Sequence, residues 1–303
     1  MKTKPFDYAL LLLTFVLWGS LYVVSKFMLG YLPTFMVSFL RFLLGDMVLM
    51  AAVFVTKPGK IAKSDYKYIA LIGLVGYSLS VTVQLIGTKL AGAATASLIN
   101  SLNPVAIMLM AAVILGEKLT VRKVISIAIS IFGVYCILGS GTERSAFLGI
   151  VISLFSVLTW AFVSVIMRRV SQKYNPIQVT AYGLGIAVLC TCPIALFDLM
   201  HTDMVIRFGP VQLAALLYMG CLCTGCGHFL WNRSLSKIEA STCSMFYPVQ
   251  PLVSAILGVL FLHESISGRF LFGAALIVVG LLLSLIRLPE RRHKLHKPAL
   301  QHK

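Results

Sequence analysis

Two charged residues lie within one apolar stretch of the chain, FMVSFLRFLLGDMVLMAAVF, residues 35–54. The stretch is long enough to cross a bilayer, because a helix needs about 20 apolar residues to do so. It nevertheless contains Arg41 and Asp46, and a charge at bilayer depth costs roughly 2.5–3.5 kcal/mol on insertion scales. Arg41 is therefore a candidate for holding helices together or for attracting the carboxylate of a small molecule. Asp46 is the candidate for a carboxyl that takes up and releases a proton.

The spacing of these two residues does not favour a direct pair. They are five positions apart, which is about 140° around a helix with 3.6 residues per turn, and (i, i+4) neighbours pair most readily. Each is free to meet a different neighbouring helix. Arg41 lies roughly 10 Å from the nearer end of its span at 1.5 Å per residue, so its long side chain could also extend to the membrane surface. Asp46 lies near the midplane, where that is hardest.

Two prolines, Pro104 and Pro251, fall near the middle of other apolar stretches. A proline inside a helix leaves the carbonyl four residues earlier without its donor, here those of Asn100 and Tyr247. Irregular backbone at membrane depth is tolerated where it packs on protein or lines a wet cavity. The polar residues nearby either form hydrogen bonds between helices or line a cavity. The candidates for cavity lining are Trp18, Arg41, Tyr77, Gln84, Asn100, Asn103, Trp160, Tyr247 and Gln250.

Two of the three tryptophans and two glutamates have two interpretations each. Trp18 and Trp160 lie well inside their spans, so they either pack in the core or form an aromatic wall. Trp231 lies at a span end, where an interfacial anchor is expected. Glu117 and Glu264 close their helices, and are either boundary or gate residues or members of structural salt bridges.

The composition assigns the chain to the membrane. Of 303 residues, 59% are hydrophobic and 12% are charged, whereas a soluble domain is about 45–50% apolar and about 25% charged. The net charge of +16 comes from short basic clusters between apolar runs. This pattern orients membrane helices and does not indicate a nucleic-acid-binding face. The seven cysteines all lie in apolar runs, where they behave as small hydrophobic residues and imply no disulfide framework.

The stretch CLCTGCGH, from Cys221 to His228, resembles a metal site at first sight. Structural zinc sites use two separated ligand pairs, whereas these residues share one apolar helix. We therefore expect no metal, and interpret His228 as a packed or cavity-lining imidazole.

We predict an all-α integral membrane protein whose short connections leave no room for a soluble domain. The predicted spans are ten in number: 8–29, 34–56, 68–89, 93–115, 121–140, 146–168, 176–198, 210–232, 240–262 and 268–287.

The basic residues predict the direction of these spans. With the N-terminus in the cytoplasm, 20 of the 26 Lys and Arg residues fall on the cytoplasmic side and 5 on the other, and Arg41 alone lies within a span. Cytoplasmic loops carry such an excess. Both termini are therefore predicted to be cytoplasmic, in a multi-pass protein of the cell membrane, most simply the bacterial cytoplasmic membrane.

The two halves of the chain resemble each other at a constant offset of 147. Residues 93–117 and 240–264 share six of 25 positions without a gap, including Pro104 and Pro251. We predict two five-helix repeats, 8–140 and 146–287, followed by a basic cytoplasmic tail, 288–303. Because five is odd, the second repeat enters the membrane from the opposite side, and such inverted repeats occur in transporters.

These features resemble the EamA-type transporters of the drug/metabolite transporter superfamily, over roughly residues 8–287. The resemblance rests on an early LWG-like segment and a closing NP…LGE block in each half, with LRF in the second helix. In this sequence they are Leu17–Gly19, Thr159–Ala161, Asn103–Pro104, Leu115–Glu117, Gln250–Pro251, Leu262–Glu264 and Leu40–Phe42. Asp46 departs from the pattern, because that position is usually apolar, and LHE replaces the more usual LGE in the second half.

The resemblance implies a ten-helix bundle with a central cavity and a secondary transporter that exports amino acids or related small metabolites by alternating access. No nucleotide-binding element is present in the sequence, so no cofactor is expected. Three modes of transport stay open: coupling to an ion gradient, exchange of solutes, and uncoupled transport. The chain shows no glycine-rich phosphate loop, no closely spaced carboxylates and no nucleophile with an evident base, which argues against an enzyme. Alternatives are a multidrug or lipid-headgroup translocator and, less favoured, a membrane enzyme acting on lipid-linked substrates. The expected partners are the solute and the bilayer, and either a monomer or a homodimer is compatible with the sequence.

Overall fold

The computed structural model describes most of the chain. The residues described are 5–115, 121, 125, 128–129, 132–133, 135–136, 144–202, 204, 208–238, 243, 246–247, 249–263 and 267–285. Within these residues the secondary structure is helical and no β-strand is present.

The first half begins with two long helices and continues with a third that changes its winding in the middle. Its elements are α1 (Pro5–Met28), α2 (Thr34–Thr56), a 3₁₀ turn (Lys63–Asp65), α3 (Tyr66–Leu71), a first π segment (Ile72–Val81), α4 (Thr82–Ala91), α5 (Ala93–Asn100) and α6 (Asn103–Leu115).

The second half again begins with two long helices, followed by a helix that contains a π segment. Its elements are α7 (Arg144–Lys173), α8 (Pro176–Met200), α9 (Pro210–Leu217), a second π segment (Tyr218–Cys226), α10 (Gly227–Lys237), α11 (Val249–Leu262) and α12 (Gly268–Leu285).

Six continuous helices in the described residues are long and apolar enough to cross a bilayer. They are Pro5–Met28, Thr34–Thr56, Lys63–Ala91, Arg144–Lys173, Pro176–Met200 and Pro210–Lys237. Large apolar side chains such as Phe54, Val55 and Leu189 are exposed on their outer faces, while Arg41 and Asn103 are buried. This distribution fits a protein whose surrounding solvent is lipid.

Of the predicted spans, 93–115 is interrupted in its middle, and 121–140 lies largely outside the described residues. The interruption is at Pro104, where α5 ends at Asn100 and α6 begins at Asn103. The equivalent Pro251 lies in the first turn of α11, which begins at Val249.

Glycines allow the helices that carry the central residues to approach closely. A Cβ atom on Gly45 of α2 would lie 3.0 Å from the carbonyl oxygen of Gly220 and 3.0 Å from the backbone nitrogen of Gly225. A Cβ atom on Gly19 of α1 would lie 2.8 Å from the carbonyl oxygen of Gln250. Small residues serve this purpose at helix contacts in membranes. As a result, α2 packs against the second π segment and α1 against α11 around one central region.

Candidate functional site

The helix break at Pro104 organises the polar centre of the molecule. Because proline has no N–H group, the carbonyl of Asn100 loses its usual partner. The side-chain amide of Asn103 takes over this role, since its Nδ2 donates to the Asn100 carbonyl oxygen at 2.8 Å. Asn103 is fully buried, and its side chain therefore satisfies the backbone group that the proline has freed.

This hydrogen bond determines the orientation of the neighbouring amides. A carbonyl oxygen can only accept, so the nitrogen of Asn103 must face Asn100. The same nitrogen lies 2.7 Å from the Asn100 side chain, which must present Oδ1 to it. Asn100 then donates through Nδ2 to Oε1 of Gln250 at 2.8 Å. The Gln250 nitrogen is left as a donor, and it has no hydrogen-bond partner among the described residues.

Aromatic rings form the wall beside these amides. Trp18 and Trp160 meet edge to face with their centroids 6.1 Å apart. The ring of His228 lies 5.2 Å from Trp18 and 5.7 Å from Trp160. The indole of Trp160 donates to the Tyr247 hydroxyl at 3.1 Å, and that of Trp18 donates to the Cys223 carbonyl at 3.2 Å. Both indole N–H groups are satisfied, which holds the rings in place.

Arg41 is the buried cation of this region, and only 2% of its surface is exposed. Its Nε donates to the Thr224 hydroxyl at 3.0 Å, and that hydroxyl donates to the Met219 carbonyl at 2.8 Å. None of the ion pairs found between described residues involves Arg41. A buried charge is normally paired. Among the described residues the guanidinium is held through Nε alone, which leaves its two Nη groups available to a ligand.

These groups surround a central cavity of about 40 Å³. This is room for a few ordered waters. The lining comes from both halves of the chain and consists of Trp18, Leu21, Tyr22, Arg41, Ser80, Val81, Gln84, Asn100, Ser156, Trp160, His228, Tyr247 and Gln250.

Asp46 lies outside this lining, although it shares α2 with Arg41. Its Oδ2 atom is 3.5 Å from the position that a Cβ atom on Gly185 of α8 would occupy. Its Oδ1 atom is buried without a hydrogen-bond partner in the described part of the chain. Arg41 therefore contacts the second π segment, while Asp46 lies beside α8.

Residues 6–139 and 147–286 match the model of the EamA-like transporter family. The chain belongs to this family. The resemblance to EamA-type transporters noted from the sequence is thereby confirmed, and this EamA-like transporter is a multi-pass protein of the cell membrane.

Several relatives of this EamA-like transporter cover nearly the whole chain. An uncharacterized transporter of Archaeoglobus fulgidus is 26% identical over 280 residues, which cover 91% of this chain and 96% of that protein. An uncharacterized transporter of Bacillus subtilis is 28% identical over 295 residues, which cover 93% of each. A Salmonella typhimurium protein named "Probable amino-acid metabolite efflux pump" is 26% identical over 303 residues, which cover 94% of this chain and 97% of that protein. These names indicate a transporter rather than an enzyme.

A crystal structure of another protein has a similar fold, with a TM-score of 0.65 at 22% identity. The match covers 93% of this chain and 97% of that one, so the likeness extends over almost the whole of both molecules.

Most of the predicted cavity residues of this EamA-like transporter line the central cavity, whereas two of them lie outside its lining. Tyr77 is fully buried and accepts a hydrogen bond of 3.1 Å from Asn232, and Asn103 supports Asn100 from behind. Glu117 and Glu264 lie outside the described residues. The predicted residues that line the cavity are Trp18, Arg41, Gln84, Asn100, Trp160, Tyr247 and Gln250.

The interpretation of Trp231 as an interfacial anchor is wrong. Its side chain is fully buried and its ring lies 5.7 Å from that of Trp18 and 5.8 Å from that of Tyr247. Its helix continues to Lys237, past the predicted span end at residue 232, so Trp231 lies more than one turn further inside the helix than predicted.

Sequence reasoning missed five lining residues: Leu21, Tyr22, Ser80, Val81 and Ser156. Tyr22 lies one helical turn after Trp18, and this spacing could have identified it. Ser80 and Ser156 donate to each other's backbone carbonyl at 2.9 Å in both directions. No sequence pattern signals such a reciprocal contact between distant helices.

Two ion-paired groups connect the halves at the ends of their helices. Asp7 at the start of α1 lies 3.1 Å from Lys237 and 3.7 Å from Arg233 of α10. Asp65 pairs with Lys173 at the end of α7. Hydrogen bonds from Lys173 and Tyr174 lower the pKa of the Asp65 carboxyl below its ordinary value.

Proposed function

We propose that this protein is a secondary transporter that exports amino acids or related small metabolites across the cytoplasmic membrane by alternating access. The observation that carries the proposal is the central cavity, whose lining comes from both halves. It includes Arg41, whose Nη groups have no hydrogen-bond partner among the described residues. The printed name of the Salmonella typhimurium relative, an amino-acid metabolite efflux pump, supports the direction and the class of solute.

The proposed architecture is ten membrane-spanning helices in two inverted repeats, 8–140 and 146–287, with both termini and the tail 288–303 in the cytoplasm. Two observations support it. The helix breaks at Pro104 and Pro251 fall at equivalent positions, and so do the first and second π segments. A repeated break that borders a cavity is typical of transporters whose halves exchange conformations.

Alternating access requires the halves to separate at each end in turn. The ion pairs of Asp7 with Lys237 and of Asp65 with Lys173 join the halves at the end that we place in the cytoplasm. These contacts must break when the cavity opens on that side. Lys173 in the pair with Asp65 is exposed, and exposed pairs stabilise weakly, so this pair can form and break in each cycle.

Asp46 is the proposed proton carrier. Its unpartnered carboxyl oxygen faces the contact between α2 and α8, and α2 also carries Arg41 into the cavity. Protonation of Asp46 would change the packing of α2 against α8. The change would reach the cavity through Arg41, on the same helix.

The test is reconstitution of purified protein in liposomes with a panel of labelled amino acids, with and without a pH gradient. We expect at least one solute to move, and an imposed pH gradient to change its rate. A matched panel of fluorescent lipids tests the headgroup translocator. If no solute moves under any gradient, the proposal fails.

A further inference from the structure

The charge of the central cavity is unbalanced. Arg41 brings a positive charge to the lining, and none of the described lining residues is Asp or Glu. A buried charge without a counter-ion is unfavourable unless a ligand supplies one. The hydrogen-bond partner of Arg41 among the described residues is the neutral hydroxyl of Thr224, so an anion in the cavity would stabilise the site as well as bind to it.

The hydrogen-bonding groups left over around Arg41 are mostly donors. The amide chain that begins at the Asn100 carbonyl leaves the Gln250 nitrogen without a partner. The Tyr22 hydroxyl oxygen accepts from the Gln84 amide, and the Tyr247 hydroxyl oxygen accepts from Trp160. The Tyr247 hydroxyl therefore keeps its own proton for another acceptor, whereas the Tyr22 hydroxyl also has the side chain of Asn100 as a hydrogen-bond partner.

The acceptors that remain carry no negative charge. They include the amide oxygen of Gln84 and Nε2 of His228, whose Nδ1 lies 2.8 Å from the Thr224 carbonyl. A ligand ammonium group would find neutral partners among the described lining residues, and it would share the cavity with the guanidinium of Arg41. Like charges in one buried site oppose each other.

Two aromatic rings contribute to the apolar part of the lining. Trp18 and Trp160 present indole rings that are held by their own hydrogen bonds, and Leu21 and Val81 complete the wall. Aromatic rings bind planar groups by stacking or edge contacts.

We propose that the preferred ligand of this cavity is a small organic anion with a planar, aromatic or conjugated body, and that zwitterionic amino acids bind more weakly. The inference rests on the proposed function, because it names the class of solute that the same cavity takes. Within the related small metabolites of that proposal, it selects the net-negative ones.

The test compares three ligands of similar size and different charge: benzenesulfonate, phenylalanine and benzyltrimethylammonium. Benzenesulfonate stays ionised and so cannot cross the bilayer as a neutral acid. Binding is followed by tryptophan fluorescence, because two of the three tryptophans line the cavity. We expect benzenesulfonate to half-saturate at a concentration at least tenfold below that of phenylalanine, and benzyltrimethylammonium to bind least. Equal or tighter binding of phenylalanine, or no binding of benzenesulfonate, overturns the proposal.

Variants at Arg41 test whether this residue causes the preference for an anionic ligand. Arg41→Gln should abolish the preference for benzenesulfonate over the neutral benzyl alcohol, and Arg41→Lys should retain part of it. Arg169→Gln serves as the matched control, because Arg169 is exposed near the end of α7. A preference that survives in Arg41→Gln contradicts the proposal. If that variant does not fold, the comparison of the three ligands on the unmodified protein still decides.

Flux measured on the same preparation separates this inference from the proposed function. Movement of labelled phenylalanine without binding of benzenesulfonate would refute the anion preference but would support the proposed transport function. Binding of benzenesulfonate without movement of any solute would support the ligand class and refute transport.

Discussion

The side-chain amide of Asn103 donates to the backbone carbonyl of Asn100 at 2.8 Å, across the break that Pro104 makes in its helix. One hydrogen bond thereby repairs the backbone and orients the amides of Asn100 and Gln250 at the cavity. The proline and the polar residues around it form a single unit, in which local backbone chemistry sets the direction of the donors at the membrane centre.

Replacement of Asn103 by Ala should destabilise the protein by about 1–3 kcal/mol, because it leaves the buried carbonyl of Asn100 without a partner. In the Pro104→Ala background the new backbone N–H can serve that carbonyl, and the cost should shrink. Thermal unfolding of the two single variants and the double variant in detergent measures the coupling. Strictly additive effects would show that the amide does not replace the missing backbone bond.

A side chain at Gly19 should disrupt the contact of α1 with α11. A Cβ atom there would lie 2.8 Å from both the Gln250 carbonyl oxygen and the Val253 Cβ atom, and overpacking typically costs about 1–3 kcal/mol. We expect Gly19→Val to lower both the unfolding temperature and transport. Gly59→Ala is the control, since nothing lies within 4 Å of its Cβ position. Similar behaviour of the two variants would exclude a special role for Gly19.

Asp46→Asn should remove the response of transport to a pH gradient while solute exchange across the membrane continues. The amide keeps the shape of the side chain beside Gly185 but cannot take up a proton. Initial rates in proteoliposomes over a range of internal and external pH measure the effect. An unchanged pH dependence would exclude Asp46 as the proton carrier.

The ion pair of Asp65 with Lys173 should contribute a small stabilisation that depends on pH. Because the pKa of Asp65 is lowered in the folded protein, the contribution is present above the unfolded pKa and is lost as pH falls through the folded pKa. Asp65→Asn should therefore unfold earlier than the unmodified protein at neutral pH, with the difference vanishing in acid. Lys173→Gln should act in the same way without adding to Asp65→Asn. A difference that persists below the folded pKa would contradict this explanation.

The sequence predicts the membrane environment and draws attention to the polar residues around Pro104. A polar group at bilayer depth costs free energy, so it usually has a structural or functional role there. The sequence predicts less about the orientation of these residues, since the direction of the Gln250 amide depends on a chain of contacts that only coordinates reveal. Trp231 shows a second limit: it lies at a span end by hydropathy, yet its helix continues and the ring packs in the centre. Tyr22 was overlooked because one tyrosine in an apolar helix carries no signal by itself.

The central claim is that solute passes through the cavity that contains Arg41. Its most direct test is flux of one transported solute in proteoliposomes of the unmodified protein, Arg41→Gln and Arg169→Gln, at matched amounts of folded protein. The account predicts that Arg41→Gln lowers the rate at least tenfold, about 1.4 kcal/mol at equal driving force, and that Arg169→Gln transports normally. Unchanged flux through Arg41→Gln would contradict it.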